Sequence, residues 1–394
     1  MRNLYQTQHN ALSAQLRQEL VISLMNAGVL SSPAIQQAFL AIPREAFVSS
    51  FYEQKTSRKM EWKQVRIDQM APEDYLALIY RDEPLITQID ERGWPTSSSS
   101  MPSAMARMLE ALDVKSGQRV LEIGTGTGYN AALLTHLTGN PHLVTTIEID
   151  PVLAEQAAKT LQYVVGSGVS VQADNAIAGY QCNAPYDRII ATASSSTLPM
   201  AWIEQLRLGG KLVMDLQGSL ESGFLVVEKT TEGIVGRFLE PPLHFMPLAT
   251  EEKASSPISN IAKLLQGPSL ESFVLRDDDD FLSMLFDPAF RWFVQWYVSG
   301  CQISKRKHIQ SDGAEIHILL IIASKNEGIV RLQKRKEEDI WRGEIYGSLS
   351  FWHNFQQARK DLLSLGKPDQ QMYHLVIDQE GPTLIIGSFK LLLF

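Results

Sequence analysis

The sequence predicts an α/β protein with a doubly wound, mostly parallel sheet at its centre, N-terminal helices before it and an α+β region after it. Between residues 104 and 213, short apolar segments typical of buried strands alternate with longer segments of helical spacing. The first of these strands runs into a glycine-rich turn, "VLEIGTGTG", and a helix follows at once. With 394 residues, 44% of them hydrophobic, the chain is long enough for two or three domains.

Residues 1–95 are predicted to form a helical and loop region. Apolar residues recur at helical spacing over residues 8–27, and Ser32, followed by proline, is typical of the N-cap of a second helix. Residues 53–80 are charged and irregular, with a helical pattern only near "EDYLALIY". Pro, Gly and Ser are frequent in residues 84–103, which predicts an extended loop.

Residues 96–248 contain the predicted sheet. Its strands are "RVLEIG", "HLVTTIEID", "VSVQAD", "YDRIIATAS" and "KLVMDLQ", and its helices are "SAMARMLEAL", a segment beginning near Tyr129, "PVLAEQAAKTLQYV" and "PMAWIEQLRLGG". Strands joined by helices in this way favour parallel pairing. "FLVVEKTTEGIVGRFLE" predicts a hairpin that completes the sheet with antiparallel strands.

The polar segment Ala249–Asn260 indicates a boundary, so residues 249–394 are predicted to be a separate α+β accessory domain that recognises the substrate. Its predicted strands include "AEIHILLIIAS", "YHLVIDQ" and "TLIIGSF", with a helix around "LSFWHNFQQARKDLLSLG". The aromatic run "FRWFVQWYV" predicts its core. The "DDDD" run is predicted to be solvated or to cap the helix that starts at Phe281.

The glycine loop after the first strand is typical of a cofactor site. Glycine permits positive φ angles and lets a ligand approach the backbone, while the start of a helix offers unpaired N–H groups. The spacing of Gly124, Gly126 and Gly128 differs from the GxGxxG of dinucleotide-binding folds. Glu148 and Asp174 end the next two strands, where carboxylates can meet ribose hydroxyls and an adenine amino group. The set predicts an adenosyl cofactor without a pyrophosphate; the alternative is a tightly packed turn with two surface acids.

These segments resemble S-adenosylmethionine-dependent methyltransferases, and more narrowly the protein-L-isoaspartate O-methyltransferases. "VLEIGTGTGYNAALL" is similar to their first motif, and "IPREAFV", "APYDRIIATAS" and "PMAWIEQLRLGGKLV" agree in order across residues 30–230. The resemblance implies a Rossmann-like class I methyltransferase sheet and S-adenosyl-L-methionine as the cofactor. The cofactor contacts that it implies are Glu122, Gly124, Thr125, Gly126, Gly128, Glu148, Ile149, Asp174 and Asn175.

The family's Thr-x-Ser-x-Pro segment corresponds here to "SSSMP", which places Ser100 on the family serine and Ser98 on its threonine. The serine run departs from the family pattern, and so does Asn175, where glycine is usual. Together with "LVMDLQGSL", "HFMPL" and the long C-terminal region, these departures resemble homologues found with ribosomally made peptides such as graspetides and lanthipeptides. Those homologues methylate an aspartate side chain, and the ester then closes to an aspartimide.

The resemblance implies catalytic roles for Ser100, Ser98 and Ser99, with Ser100 donating a hydrogen bond to the acceptor carboxylate. A carboxylate is already ionised at neutral pH, so no general base is required. The reaction then depends on the alignment of the reacting atoms. The alternative for the serine run is a flexible linker.

The expected function is therefore methylation of an aspartate or isoaspartate carboxylate in a peptide or protein, with a cyclised precursor peptide among the candidate substrates. Three alternatives stay open. The first is repair of isoaspartyl proteins, the second is methylation of a small molecule, and the third is a binding module that kept the fold without the chemistry.

Composition argues against several other classes of protein. The formal net charge of −8 disfavours a nucleic-acid partner. The longest apolar run, "IHILLIIA", is too short to span a bilayer, and the start of the sequence lacks the apolar core of a signal peptide, so we expect no membrane partner. Cys182, Cys301 and the histidines show no metal-ligand spacing, which predicts no metal, and two distant cysteines fit a reducing cytoplasm.

Overall fold

The computed structural model describes residues 2–55, 61–249, 258–298, 300–309, 312–323, 328–378 and 381–392. The chain forms two compact units. Unit 1 consists of Met1–Asp215, Val226–Glu232 and Leu243–Ala249, and unit 2 consists of Leu216–Leu225, Gly233–Pro242 and Thr250–Phe394.

Unit 1 begins with the two predicted helices, α1 (Arg2–Asn26) and α2 (Pro33–Ala41). The fixed φ of proline suits the first turn of α2, which buries Ile35 and Phe39. Ser32 stands at the N-cap position, as predicted, although its side chain makes no capping hydrogen bond. Its N–H instead donates to the Glu110 carboxylate at 2.6 Å.

A four-stranded sheet follows, and part of it replaces the predicted loop. Its elements are β1 (Ser50–Gln54), β2 (Trp62–Arg66), α3 (Pro72–Ile79), β3 (Leu85–Ile89) and β4 (Pro95–Ser99), with the strand order β2-β1-β3-β4. The prediction of a loop over residues 84–103 is therefore wrong, because β3 and β4 pair as an antiparallel hairpin. Asp90 closes its turn by accepting from the N–H groups of Arg92 and Trp94. A strand made of serine and threonine lacks the apolar alternation by which strands are recognised.

The central sheet of unit 1 confirms the predicted Rossmann-like α/β fold. In chain order its elements are α4 (Pro102–Leu112), β5 (Val120–Ile123), α5 (Tyr129–Thr138), β6 (Val144–Glu148), α6 (Pro151–Val165), β7 (Ser170–Ala173), β8 (Tyr186–Ser195), α7 (Met200–Glu204) and β9 (Leu206–Gln217). The strand order is β9-β8-β5-β6-β7. β5 pairs in parallel with β6 and with β8, and β6 pairs in parallel with β7. All four residues of β5 are buried, as expected for the centre of a sheet that is covered on both faces.

The ends of two helices follow from local side chains. Asp150 caps α6 by accepting from the N–H groups of Val152 and Leu153, and proline occupies the first turn. The helix predicted over "PMAWIEQLRLGG" is shorter than expected, because α7 ends at Glu204. The buried Gln205 side chain donates to the Ala178 carbonyl and accepts from a backbone N–H, and the next residues already belong to β9.

Unit 2 is an α+β unit with two groups of antiparallel strands. The predicted hairpin corresponds to β10 (Ser222–Thr230), whose residues are divided between the two units, and β11 (Gly233–Leu239) of unit 2. The other elements of unit 2 are α8 (Ile258–Leu265), β12 (Glu271–Arg276), α9 (Asp280–Met284), α10 (Pro288–Tyr297), β13 (Gln302–Ile309), β14 (Glu315–Ile322), β15 (Ile329–Arg335), β16 (Ile340–Tyr346), α11 (Leu349–Ser364), β17 (His374–Asp378), β18 (Gly381–Ile386) and β19 (Phe389–Leu392). One sheet has the order β12-β16-β15-β14-β13. In the other group, β11, β17, β18 and β19 pair in that order.

The core of unit 2 is aromatic, as predicted. Phe290, Trp292 and Phe293 of α10 are fully buried, and the Phe290 ring meets the ring of Phe355 edge to face. Asp279, from the "DDDD" run, caps α9 by accepting from the Phe281 N–H. No helix within the described residues is long and apolar enough to cross a membrane.

Candidate active site

The glycine loop between β5 and α5 is held in a backbone conformation that favours glycine. Gly124, Gly126 and Gly128 have φ angles of 92°, 52° and 86°. A Cβ atom on Gly124 would lie 3.2 Å from the Thr192 hydroxyl oxygen, so the neighbouring strand leaves no room for a side chain. The loop lines a cavity of unit 1 together with the start of α5 at Tyr129.

Glu148, at the end of β6, is hydrogen-bonded to the glycine loop. Its Oε2 accepts from the Gly126 N–H at 2.8 Å, and its Oε1 accepts from the Asp150 N–H at 3.2 Å. These two bonds orient the carboxylate at the rim of the cavity, and Ile149 lines the cavity beside it. The predicted contact of Glu148 with ribose hydroxyls stays a prediction.

Glu122 is a fully buried acid beneath the loop. Its Oε1 accepts from the Asn130 side-chain amide and its Oε2 accepts from the Thr146 hydroxyl, both at 2.7 Å. The Thr146 hydroxyl also lies 2.7 Å from that of Thr125 in the loop. Burial raises the pKa of Glu122 from 4.5 to about 7, against the hydrogen bonds, which lower it, and with a smaller contribution from the Glu148 charge. Glu122 therefore supports the loop from below.

Asp174 and Asn175 lie farther from the cavity than the other predicted residues. Asp174 is exposed after β7, and its N–H donates to the Glu148 carbonyl at 3.0 Å. The Asn175 side chain accepts from the Ile177 N–H and so caps a short turn. Neither residue lines the cavity that the glycine loop faces, although Ala176 does. Their contact with the cofactor stays a prediction.

The serine segment, residues 97–100, lines the same cavity from β4. Ser97 and Ser99 are buried, whereas Ser98 and Ser100 are half-buried, as expected for alternation along a strand. Within the described part of the chain, the hydroxyls of Ser98 and Ser100 have no hydrogen-bond partner, so both can bind a ligand. The Ser98 carbonyl oxygen lies 3.3 Å from where a Cβ of Gly126 would stand, so the serine segment and the glycine loop touch. The Ser99 hydroxyl differs, since it accepts from Arg44 at 3.3 Å.

Arg44, from the "IPREAFV" segment, holds the serine segment in place. Its guanidinium donates to the carbonyl oxygens of Ser99 and Ser100 at 3.1 and 3.0 Å. It also donates to three carbonyls around α3 and β3, those of Ile79, Arg81 and Glu83. The side chain is fully buried, and burial lowers its pKa to about 10. This role of Arg44 was not predicted from the sequence. The one sequence feature that could have indicated it is an arginine inside an apolar motif.

Residues 245–249 form a third wall of the cavity. In the sequence, the segment "HFMPL" indicated a resemblance to a family but did not predict a place in the site. The Ser194 N–H donates to the Met246 carbonyl at 2.9 Å, and the Leu248 N–H donates to the Ser194 carbonyl at 2.7 Å. The buried Asp215 accepts from the Phe245 N–H at 2.9 Å. These bonds bring Phe245 and Met246 to the cavity, where they add apolar surface.

The residues that line the cavity limit its chemistry. Among the described residues of the lining, hydroxyls, backbone groups, apolar side chains, the Asn130 amide and two glutamates are present, but no histidine, lysine, arginine or cysteine. These residues supply no strong base, which suits an acceptor that is already ionised. Across the described residues, no group of three His, Cys, Asp or Glu side chains could hold a metal ion.

Comparison with known proteins assigns the chain to a family. The sequence matches the family described as protein-L-isoaspartate(D-aspartate) O-methyltransferase over residues 14–253. It is 33% identical over 239 residues to the protein-L-isoaspartate O-methyltransferase of Ignicoccus hospitalis, covering 60% of this chain and 98% of the relative. It is 37% identical over 177 residues to protein-L-isoaspartate O-methyltransferase 1 of Archaeoglobus fulgidus, covering 45% of this chain and 78% of that one.

A solved structure named protein-L-isoaspartate O-methyltransferase has the same fold. It superposes with a TM-score of 0.54 at 23% identity, and the match covers 94% of this chain and 99% of that one. The glycine loop leaves its backbone open to a ligand, and the Glu148 carboxylate is hydrogen-bonded to it. Both features fit the adenosyl cofactor of such enzymes. The chain is therefore an S-adenosyl-L-methionine-dependent carboxyl O-methyltransferase and belongs to the protein-L-isoaspartate(D-aspartate) O-methyltransferase family.

Proposed function

We propose that this enzyme methylates the side-chain carboxylate of an aspartate or isoaspartate residue in a peptide, as a step in the maturation of a ribosomally made peptide. The observation that carries the proposal is the serine segment. Two hydroxyls that have no hydrogen-bond partner among the described residues, on Ser98 and Ser100, belong to side chains that line the same cavity as the glycine loop. A carboxylate bound to them would lie next to the cofactor site.

S-adenosyl-L-methionine supplies a methyl group on a sulfonium, which a carboxylate oxygen can attack in line. The chain's own residues bind and orient the two reactants. The backbone of Gly124–Gly128, Thr125 and Glu148 would hold the cofactor, with Ile149 beside it and Glu122 beneath the loop. Asp174 and Asn175 would meet the adenine end.

Ser100 would donate its hydroxyl hydrogen to one oxygen of the acceptor carboxylate and so fix the direction of the other. Ser98 would assist from the same side of β4, and Ser99 would act indirectly, because its hydroxyl is already bonded to Arg44. No group has to remove a proton, since a carboxylate is ionised at neutral pH. Alignment of the reacting atoms can supply several kcal/mol of the barrier, so positioning is the main contribution of the protein (about 7–11 kcal/mol in the best intramolecular cases).

Methylation makes the carbonyl carbon open to attack, because the ester can expel methoxide whereas the carboxylate would have to expel oxide. The neighbouring backbone nitrogen of the substrate attacks the ester carbonyl, loses its proton and expels methanol, which gives a five-membered imide. This step needs no residue of the enzyme. An aspartimide in the peptide is therefore the expected product.

Repair of isoaspartyl proteins is the second candidate, and the names of the relatives favour it. The serine run and Asn175 favour the natural-product role, because they depart from the repair pattern at the acceptor and cofactor sites. The long C-terminal region does not separate the two, since the solved structure that matches 94% of this chain bears the name of the repair enzyme. A role for that region in substrate recognition, and a cytoplasmic location, which cell fractionation would test, remain part of the proposal.

Mass spectrometry of two peptides incubated with the enzyme and S-adenosyl-L-methionine tests the proposal. One is a short linear isoaspartyl peptide, and the other is a cyclised precursor peptide that contains aspartate. A gain of one methyl group followed by loss of methanol, on the cyclised peptide only, is the expected result. Methylation of the isoaspartyl peptide alone would return the enzyme to repair. If the protein bound the cofactor but methylated neither peptide, the remaining alternatives would be methylation of a small molecule and a binding module.

A further inference from the structure

The five-stranded sheet of unit 2 has one face that is only partly covered. At one end of this face, α8 packs its Ile261, Leu264 and Leu265 against a buried apolar cluster that includes Leu320 and Ile322. The opposite face is covered in part by α11, whose Trp352 stacks on Phe273 with ring centroids 5.2 Å apart. The other end of the first face carries exposed side chains from four of the five strands.

The strand registers place these exposed side chains in two rows across the sheet. Successive partners Val274↔Arg342, Arg342↔Gln333, Gln333↔Ile318 and Ile318↔Arg306 form one row. Arg276 pairs with Ile340, and Arg335 and His308 both pair with Ile316, in the next row. Residues directly opposite on neighbouring strands share a face. We call the exposed part of these rows the arginine face: Val274, Arg276, Arg306, Arg335, Ile340 and Arg342.

The arginine face combines unpaired positive charge with exposed aliphatic surface. The two rows contain no acidic residue. Arg276 pairs with Asp278 and Arg342 pairs with Glu338, but neither Arg306 nor Arg335 forms a salt bridge with any described residue. Val274, on the edge strand β12, is 68% exposed, and Ile340, the first residue of β16, is 46% exposed, so the face presents aliphatic surface to solvent.

We infer that the arginine face binds an acidic, aliphatic-containing segment of the peptide that the active site methylates. The inference rests on the proposed function, because that function requires a peptide partner. Charge complementarity selects the occupant, since the face carries four arginines and only two of them, Arg276 and Arg342, form salt bridges among the described residues. Aliphatic side chains of the segment would cover Val274 and Ile340.

A single-stranded nucleic acid fits this surface less well. Proteins that bind single strands stack successive bases on several aromatic side chains, and the two rows contain no Phe, Tyr or Trp and one aromatic ring, that of His308. An acidic peptide needs only the charges and the apolar surface that are present. Nucleic acid is therefore an outcome that the test must be able to detect.

Fluorescence anisotropy of the full-length enzyme tests the inference. The probe is a labelled 16-residue peptide of Glu, Leu and Val, compared with the same peptide carrying Lys for Glu and with a labelled 16-nucleotide single strand. Wild-type enzyme should bind only the acidic peptide, and the Kd should rise with salt, since screening sets in over about 8 Å at physiological ionic strength. The double variant Arg306→Glu with Arg335→Glu should raise the Kd by roughly tenfold or more.

A matched control is Lys63→Glu with Lys159→Glu, which reverses two exposed charges in unit 1 and should leave the Kd within about twofold. Equal binding by wild type and by the arginine double variant would overturn the inference. So would tighter binding of the nucleotide strand, or equal binding of the lysine peptide.

Methylation of an aspartyl or isoaspartyl peptide with and without the acidic extension separates this inference from the proposed function. The extension should lower the KM of the wild type and leave the KM of the arginine double variant unchanged. If both peptides are methylated with the same KM and the acidic probe gives no anisotropy change, the inference about the arginine face is wrong and the proposed function stands. If the acidic probe binds but no peptide is methylated, the inference stands and the proposed function is wrong.

Discussion

The glycine loop and the serine segment line one cavity, but different parts of the chain hold them. The loop is fixed mainly by residues close to it in sequence, since Gly126 donates to Glu148, 22 positions later, and Thr125 meets Thr146. One more distant residue takes part, because the Thr192 hydroxyl on β8 donates to the Gly124 carbonyl at 2.7 Å. The serine segment is fixed by Arg44, which lies 55 positions before Ser99. The side of the cavity where we propose that the cofactor binds, the cofactor side, is thus largely a product of one strand–loop–helix unit and its neighbouring strands. The side where we propose that the acceptor binds, the acceptor side, depends on tertiary contacts, so we expect that it can change while the glycine loop stays as it is.

The largest expected effect comes from removing the support of the acceptor side. Arg44→Met would leave five buried or half-buried carbonyls without this donor, so we expect the free energy of unfolding to fall by about 3–5 kcal/mol. Urea unfolding measures the loss. The matched control is Arg207→Met, whose half-exposed guanidinium pairs with Asp187 and should contribute less than about 1 kcal/mol. Similar losses in the two variants would show that Arg44 does not hold the segment as described.

The second effect belongs to the cofactor side and depends on pH. The folded pKa of Glu122 is about 7 and its ordinary value is 4.5, so the folded protein keeps a proton that the unfolded chain releases between these values. Stability from this group is complete below pH 4.5 and falls as the pH rises to 7, by about 3 kcal/mol. Glu122→Gln should unfold with a flatter dependence on pH.

Urea unfolding at pH 5, 6, 7 and 8 gives the comparison for Glu122→Gln. The exposed Glu155, on α6, is the control, because its pKa is lowered by Lys159 and Glu155→Gln should leave the slope between pH 5 and 8 unchanged. If wild type and Glu122→Gln showed the same slope, the buried acid would be ionised throughout this range.

The third effect tests the acceptor side directly. Ser100→Ala removes a hydroxyl that we expect to donate to the charged acceptor, a bond worth about 1.5–3 kcal/mol. Turnover should therefore fall roughly ten- to a hundredfold, with the Kd of the cofactor unchanged. Ser103→Ala, at the second residue of α4, is the matched control and should turn over normally. Normal turnover of Ser100→Ala would remove its assigned role.

The same division explains what the sequence could predict. The alternation of strands and helices and the three glycines identify the central sheet and its loop, because both patterns are local and repeat at known spacings. The position of Glu148 beside the loop was predicted in the same way, since this residue ends a recognisable strand. The sequence also predicted the aromatic core of unit 2 and the Asp279 cap, which depend on neighbouring residues.

The acceptor side was predicted less well, for a physical reason. β4 consists of proline, threonine and serines, and it is a strand only because β3 pairs with it and Arg44 satisfies its last carbonyls. Neither partner can be inferred from the serines themselves. The wall at Phe245 and Met246 is likewise fixed by Ser194, about 50 positions earlier.

The fourth effect sharpens the comparison, because it asks whether strain in the loop acts locally. Gly124 and Gly117 both have left-handed φ angles, 92° and 82°, but a Cβ on Gly124 would meet the Thr192 hydroxyl at 3.2 Å, whereas nothing lies within 4 Å of a Cβ on Gly117. Valine at either position costs about 1–3 kcal/mol of backbone strain. Only Gly124→Val should also weaken cofactor binding, by roughly 5- to 150-fold, since it alone displaces the loop from Thr192. Isothermal titration with S-adenosyl-L-methionine measures the two Kd values. An equal loss of affinity in both variants would mean that the loop responds to general destabilisation, and the local origin of the cofactor side would no longer hold.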